Sequence, residues 1–203
     1  MRSDEAVPRG GETGRAPLVP LALAFYGAML GAAVAWRLLI DGQSPFLARP
    51  GAAAVPPFSL LAQHALLGLL AGGGMLALSR LWARRTRAGR ALAQRLAEIL
   101  GPLSGKSALL LALASGVAEE AFFRGALQPR VGLGIASLLF GLAHLVPRRE
   151  LAPWAAGAAL AGLLLGALFD HTGNLLAPAL AHVLVNAVNL RWLGRAAASR
   201  GLP

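Results

Sequence analysis

Cysteine is absent from this 203-residue chain, and charged residues are scarce at 14% of the total. Without cysteine there is no disulfide framework and no thiolate metal site. A soluble domain normally carries about a quarter charged residues, so the low charge argues against a soluble globular protein. Lysine is nearly missing too: one of the 19 basic residues is lysine, and the rest are arginine.

Long apolar runs take the place of charge, with 56% hydrophobic residues and a mean hydropathy of +0.61. The formal net charge of +10 would suit a protein that binds nucleic acid. Here, however, the arginines cluster between the apolar runs, which is typical of a polytopic membrane protein with basic loops on one side. We therefore expect an all-α membrane helix bundle whose partner is the lipid bilayer and not nucleic acid.

The apolar runs predict about six transmembrane helices, joined by short connections. The predicted spans are 18–40, 58–81, 107–129, 132–146, 153–169 and 175–193. A flexible tail (1–17) precedes two N-terminal helices and a basic segment (18–102), and a four-helix core (103–193) leads to a short tail (194–203). A turn near Val131 and Gly132 makes the third and fourth spans a hairpin.

Basic residues are distributed unevenly between the two sides of this topology. Fifteen of them fall in the first tail, the second loop, the fourth loop and the C-terminal tail, whereas Arg49 and Arg130 lie in the loops opposite. The positive-inside rule therefore predicts that both termini are cytoplasmic. The arginine, alanine and glycine bias suggests a GC-rich genome, so we expect a bacterial cell membrane.

The segment 80–106 differs from the predicted spans, because arginines alternate in it with leucine and isoleucine at helical spacing. The apolar positions are Leu92, Leu96, Ile99 and Leu100. This pattern predicts a basic amphipathic helix lying on an anionic membrane surface. The alternative is a solvated connecting helix. Gly101-Pro102 should end it in either case.

Two adjacent carboxylates and an arginine interrupt the third predicted span. Ionisable residues inside a membrane are costly and are functional by default. Glu120 and Arg124 are separated by four residues, so they can pair on one helix face. That pair leaves Glu119, about 100° further round the helix, available as a general base.

Two histidines and an asparagine are expected at a similar depth. Glu119 and His144 each lie twelve residues from the hairpin turn, about 18 Å at 1.5 Å per residue. His182 and Asn186 are one turn apart on the sixth span, where Asn186 could stabilise an oxyanion or orient His182. Phe140, one turn from His144, could form a wall of the site. His64 and His171 are expected to be structural, His64 in a helix–helix hydrogen bond and His171 in an exposed turn at 170–174.

A carboxylate beside two imidazoles suits hydrolysis, in which the carboxylate takes a proton from water. The histidines would then position that water or bind a metal that holds it. Zinc or another divalent metal is the candidate cofactor, with Glu119, His144 and His182 as ligands. The HExxH signature is absent, however, and a metal-free site is equally compatible. Packing hydrogen bonds and an ion or proton pathway are the alternatives.

Three motifs in this order resemble those of one membrane protease family. Glu119-Glu120…Arg124 is similar to an EExxxR motif, Phe140…His144 to FxxxH, and His182…Asn186 to HxxxN. They are typical of the CPBP family, the CAAX-protease and bacteriocin-processing intramembrane proteases, also called Abi and related to the endopeptidase Rce. The resemblance covers about residues 103–193, and the first two spans lie outside it.

The resemblance implies an intramembrane endopeptidase acting on a peptide or a membrane-associated protein. By its motifs, Glu119 would activate water, with His144 and His182 as its partners at the scissile bond. Asn186 would stabilise the oxyanion, and Glu120 and Arg124 would support the site. The family is described both as metal-dependent and as glutamate-type, so zinc and metal-free forms both stay open. A non-catalytic partner that modulates a transporter or an immunity system is the alternative.

Overall fold

Nearly all of the chain that the structure, a computed structural model, describes is helical; it describes residues 18–47 and 57–199. The helices are α1 (Leu18–Ala35), α2 (Phe58–Arg85), α3 (Arg87–Leu100), α4 (Gly105–Glu120), α5 (Gln128–Ala143), α6 (Ala152–Thr172) and α7 (Leu176–Ser199). Wider π-helical turns extend α1 (Trp36–Ile40) and α4 (Ala121–Leu127), and a 3-10 turn (Arg149–Leu151) leads into α6. The predicted tail 1–17 lies outside the described residues, whereas the predicted C-terminal tail is helical as far as Ser199.

Five helical segments within the described residues are long and apolar enough to cross a membrane. The third, Gly105–Ala143, has 39 residues, and a straight helix of that length would span about 58 Å, twice the hydrocarbon core. It does not run straight, because Gly132 interrupts it with φ +81° and ψ 164°. The positive φ is favourable for glycine, and the chain reverses there to form the predicted hairpin.

The predicted all-α polytopic bundle is therefore confirmed, with the hairpin supplying the third and fourth predicted spans. Its return arm is short, because α5 ends at Ala143, only about 16 Å from Gly132 along the helix. His144 consequently lies at the C-terminal end of α5 and not within a full membrane-spanning helix.

Helix α7 packs against α2, α3, α4 and α6, while α1 packs on α4 and α5 on α6. Small residues permit the close approach of α2. A β-carbon on Gly68 would lie 2.5 Å from the carbonyl oxygen of Ala177, and one on Gly72 would lie 3.0 Å from that of Ala181. Such close backbone approach is how membrane helices gain packing energy, since lipid is as apolar as leucine.

The amphipathic helix α3 is present, but its apolar face does not lie free for a membrane. Thr86 separates it from α2 and accepts a hydrogen bond from the Gly89 backbone. Leu92 and Ala97 are buried, and Ala97 packs with Leu193 at the end of α7. Of the four predicted apolar positions, Ile99 is exposed. Protein packing thus covers much of the surface that we assigned to lipid.

The segment 41–47 ties the end of α1 to the hairpin tip. Asp41 accepts a hydrogen bond from Arg37 at 2.8 Å and another from Arg130, just before the turn. The Phe46 carbonyl accepts a hydrogen bond from the backbone of Leu175 at 3.0 Å. Partial burial opposes ionisation of Asp41, but these two guanidinium groups hold the pKa of its carboxyl below the usual value.

Candidate active site

Glu120 is the centre of a fully buried charge cluster. It is the last residue of α4, and its side chain has no exposed surface. One carboxylate oxygen, Oε2, lies 3.1 Å from Nε of Arg124, and the other accepts a hydrogen bond from His182 Nδ1 at 2.8 Å. Burial without partners would be prohibitive for either charge. Glu120 therefore connects the arginine of the π-helical turn to the histidine of α7.

The predicted Glu120–Arg124 pair is present, and the π-helical turn after Glu120 shapes it. The Arg124 guanidinium is completely buried and lies 4.7 Å from the centre of the Phe140 ring, within cation–π distance. Its two terminal nitrogens make no hydrogen bond within the described part of the chain. π-Helical turns occur frequently at functional sites, and this one carries Arg124 under the ring of α5.

Glu119 faces two histidines from different helices. Its Oε2 atom lies 3.8 Å from Nε2 of His144 and 3.8 Å from Nε2 of His182. Twenty-five residues separate Glu119 from His144, which a straight helix would hold about 37 Å apart. The reversal at Gly132 is therefore what brings α5 back to α4.

The hydrogen bonds of the two histidines fix which ring nitrogens carry protons. A carbonyl and a carboxylate can only accept, so His144 Nδ1 donates to the Phe140 carbonyl at 2.7 Å and His182 Nδ1 donates to Glu120. In the neutral tautomers both Nε2 atoms are then acceptors. Glu119 Oε2 has no hydrogen-bond partner in the described part of the chain, and together with it three acceptors converge on one point. A donor or a cation is required to stabilise that arrangement.

Aromatic rings enclose this point. Phe140 contacts both histidines, with ring centroids 4.7 Å from His144 and 5.8 Å from His182. Trp154 of α6 packs edge-on against His144 at 5.2 Å. The side chain of His144 is 19% exposed, against 9% for Glu119 and 8% for His182. Access from outside the protein is therefore on the His144 side, at the end of α5.

Two roles were predicted for Asn186: to stabilise an oxyanion or to orient His182. In the structure Asn186 lies near the cluster, but its side chain is not the group that orients His182. Its side-chain amide donates to the hydroxyl of Ser115 at 2.9 Å, and Glu120 holds His182 instead. Ser115 is four residues before Glu119 on α4. Its contact with Asn186 was not predicted, because a lone serine on an apolar helix gives no distinctive pattern.

The other two histidines lie away from the cluster. His64 is buried on α2 and contacts the Asn174 amide at 2.9 Å. Asn174 lies between α6 and α7, so His64 has the structural hydrogen bond we expected, but the bond joins a helix to a turn and not two helices. His171 is exposed, as expected for a turn. The stretch 170–174 is not wholly an exposed turn, however, because α6 continues to Thr172 and Asn174 is buried.

Tyr26 of α1 is a neighbour of Glu119 that the sequence did not reveal. It is half-buried on α1, the helix that packs on α4, and its hydroxyl lies close enough to the Glu119 carboxylate for the two groups to interact electrostatically. A single tyrosine in an apolar span carries no motif, and no periodicity links α1 to α4. The buried Ala33 two turns later, packed among the residues of the π-helical turn, is the structural reason for this proximity.

The residue types at the cluster are those of a zinc site, but the side chains are not arranged as zinc ligands are. Two unprotonated imidazole nitrogens and a carboxylate are common zinc ligands, and a histidine held by a second carboxylate is typical of them. Within the described residues, however, no three His, Cys, Asp or Glu side chains are arranged to hold a metal ion.

The stretch that carries these residues matches a known family. Residues 104–188 match the Rce1-like family, described as type II CAAX prenyl endopeptidase Rce1-like. The segment 104–188 belongs to that family. This confirms the resemblance to the CPBP proteases that the three motifs indicated. Together with the five long apolar helical segments, it identifies an integral membrane protein.

The chain is also similar to a curated protein, but that protein has no described activity. The uncharacterized protein YpbD of Bacillus subtilis (strain 168) is 39% identical over 82 residues, which are 39% of this chain and 42% of the relative. The chain thus matches about two fifths of that protein's length. No solved structure matches the chain significantly.

Proposed function

We propose that the protein is an intramembrane endopeptidase in which Glu119 activates water for attack on a peptide bond. The observation that carries the proposal is the convergence of three acceptors, Glu119 Oε2 and the Nε2 atoms of His144 and His182. A water molecule at that point can donate its two hydrogens to two of them. Its oxygen lone pairs then face away from the acceptors, toward an incoming carbonyl carbon.

The buried cluster behind Glu119 supports this division of roles. Glu120 is engaged by both Arg124 and His182, so it is not free to take a proton from water. Its hydrogen bond with His182 also keeps the proton on Nδ1 and leaves Nε2 as an acceptor. Both Glu120 Oε2 and Glu119 Oε2 lack a hydrogen bond among the described residues, but Glu120 Oε2 lies beside the Arg124 guanidinium. Glu119 Oε2 faces the two histidines instead, so Glu119 is the base of the proposed reaction.

The proposed reaction balances with the groups in place. Glu119 takes one proton from water while the oxygen forms a bond to the peptide carbon, giving a tetrahedral oxyanion. The carbon–nitrogen bond then breaks, and the proton held by Glu119 passes to the leaving amine. The water's second proton leaves with the new carboxyl group, through a histidine Nε2.

Asn186 is the proposed donor to the oxyanion. A side-chain amide has two N–H hydrogens, and Ser115 accepts only one of them. The second is available to the developing negative charge, and Ser115 holds the amide in place without competing for it. Losing one donor of this kind typically lowers turnover by about 10²–10³-fold.

The proposed substrate is a peptide or a membrane-associated protein presented at the His144 side. The family's description names CAAX prenyl endopeptidases, so a peptide ending in a prenylated cysteine motif is the first probe. By the distribution of arginine, we place this side and both termini in the cytoplasm. A zinc ion held by Glu119, His144 and His182 is a second form of the proposal, and it would supply Lewis acidity at the scissile carbonyl.

Comparison of membrane peptides between cells carrying the wild-type protein and cells carrying Glu119→Ala would test the proposal. We expect at least one precursor to accumulate in the variant and its shortened product to disappear. The purified wild-type protein should then cleave that precursor in detergent. A phenotype that Glu119→Gln leaves intact would favour the non-catalytic alternative, a protein that modulates a membrane partner.

A further inference from the structure

Trp154 is an aromatic residue of the candidate site that belongs to none of the three motifs. It lies in the first turn of α6, next to Pro153, and is half-buried. Its ring centroid is 5.2 Å from that of His144, and the two ring planes meet at 88°. The motifs lie on α4, α5, α7 and the turns that extend them, so Trp154 brings a fourth helix to the site.

His144 is held less firmly than His182. His182 lies within α7, and the buried carboxylate of Glu120 accepts its Nδ1 hydrogen at 2.8 Å. His144, by contrast, follows the last residue of α5, with φ -95° and ψ 2°. In the described part of the chain its ring makes one hydrogen bond, at 2.7 Å to the carbonyl of Phe140 in its own helix. That bond ties the ring to α5 but not to the helix that carries Glu119.

Close packing of α5 and α6 brings Trp154 to this ring. A β-carbon on Gly141 would lie 2.7 Å from the β-carbon of Ala159 and 2.9 Å from the carbonyl oxygen of Ala155. Gly141 is three residues before His144, and Ala155 directly follows Trp154, so this contact between the two helices sets the two rings side by side. A side chain at position 141 would push the helices apart, and glycine therefore permits the approach.

We propose that Trp154 is a positioning residue that holds the His144 imidazole in line with Glu119. Aromatic rings that meet edge-to-face at this distance attract each other, and α6 carries the indole independently of α5. Without the indole, the imidazole is free to turn toward the exposed side of the site. Its Nε2 atom, which lies 3.8 Å from Glu119 Oε2, would then leave the point where we place the water.

Steady-state kinetics tests the positioning role, using a quenched fluorescent peptide with a prenylated cysteine motif or the precursor found in cells. Trp154→Leu should lower kcat about tenfold or more, because small misplacements of reacting groups are costly, and should leave KM within about twofold. Trp154→Phe keeps an aromatic ring and should recover most of the loss. Trp82→Leu is the matched control, at a tryptophan of α2 that is 37% exposed, and it should alter neither parameter. An unchanged kcat in Trp154→Leu, or a change confined to KM, would overturn the proposal.

The inference rests on the proposed function for what His144 does, but the contact between the rings does not depend on it. A double-mutant cycle in thermal unfolding therefore tests the contact without any substrate. Trp154→Leu should lower the Tm of the detergent-purified protein by about 1–5 °C more in the wild type than in a His144→Ala background. Equal decreases in the two backgrounds would overturn the proposal.

The two experiments separate failure of this inference from failure of the proposed function. If the wild-type protein cleaves neither probe, the proposed function fails, and the thermal cycle still decides whether Trp154 holds His144. If Trp154→Leu does not fold, Trp154→Met takes its place in both experiments, since methionine also removes the ring.

Discussion

His182 donates its Nδ1 hydrogen to the buried carboxylate of Glu120 at 2.8 Å. This hydrogen bond links the buried Glu120–Arg124 ion pair to the site that is proposed to hold water. The same ring turns its Nε2 atom toward Glu119. The roles of the two adjacent carboxylates follow from it, because one is committed to His182 and Arg124 and the other faces the acceptors of the site.

Glu120→Gln should destabilise the protein strongly. The substitution leaves the completely buried Arg124 guanidinium without a counter-charge, which typically costs about 3–5 kcal/mol. Thermal unfolding in detergent should show the loss as a large fall in Tm. The double variant Glu120→Gln with Arg124→Met removes both charges and should recover most of the loss. A double variant no more stable than Glu120→Gln would contradict this interpretation of the pair.

Gly116→Ala should separate α4 from α7 beside the site. A β-carbon at Gly116 would lie 2.6 Å from a methyl group of Val183 and 3.0 Å from its backbone nitrogen, next to His182. We expect activity to fall at least about tenfold, because small misplacements of reacting groups are costly. Gly157→Ala on α6 is the matched control, since a β-carbon there meets nothing within 4 Å. Equal effects of the two alanines would show that close approach at Gly116 is unimportant.

Asp41→Asn should weaken the protein at neutral pH and have less effect in acid. Arg37 and Arg130 hold the pKa of this carboxyl below its usual value, so its contribution to stability is present above the unfolded pKa of about 3.9. The contribution is lost as the pH falls through the lower, folded pKa. The Tm difference between the wild type and Asp41→Asn should therefore shrink below about pH 4. Glu150→Gln, at an exposed carboxylate, is the matched control.

Chelation separates the two forms of the proposed mechanism. If the chain's own groups suffice, prolonged treatment with a chelator should leave the cleavage rate unchanged. Elemental analysis of the purified protein should then give well under one zinc per chain. Loss of activity on chelation, restored by zinc and accompanied by about one bound ion, would require Glu119, His144 and His182 to close around a metal.

Helical spacing and depth along the chain were sufficient to predict much of the cluster. The four-residue separation placed Glu120 beside Arg124, and equal distances from the turn placed Glu119 opposite His144. Contacts between helices distant in sequence could not be obtained in this way. Tyr26 lies near Glu119, and Ser115 contacts Asn186, only because α1 and α7 pack against α4 in one particular rotation.

The environment of α3 shows a second reason why a sequence pattern does not determine the contacts of a helix. Its alternation of arginine with leucine indicates an apolar face but does not say what covers that face. Lipid and another helix are equally apolar, so Leu92 and Ala97 would be buried by either one. The structure resolves the choice in favour of α7, through Leu193 and Ala197.

The cleavage rate of Glu119→Gln tests the central proposal most directly. Glutamine keeps the shape of the side chain and can still accept a hydrogen bond, but it cannot take a proton from water. With the substrate identified in cells, kcat should fall by about 10²–10⁴-fold while Tm and membrane insertion stay near those of the wild type. A folded Glu119→Gln protein that cleaves at the wild-type rate would contradict the assignment of Glu119 as the base.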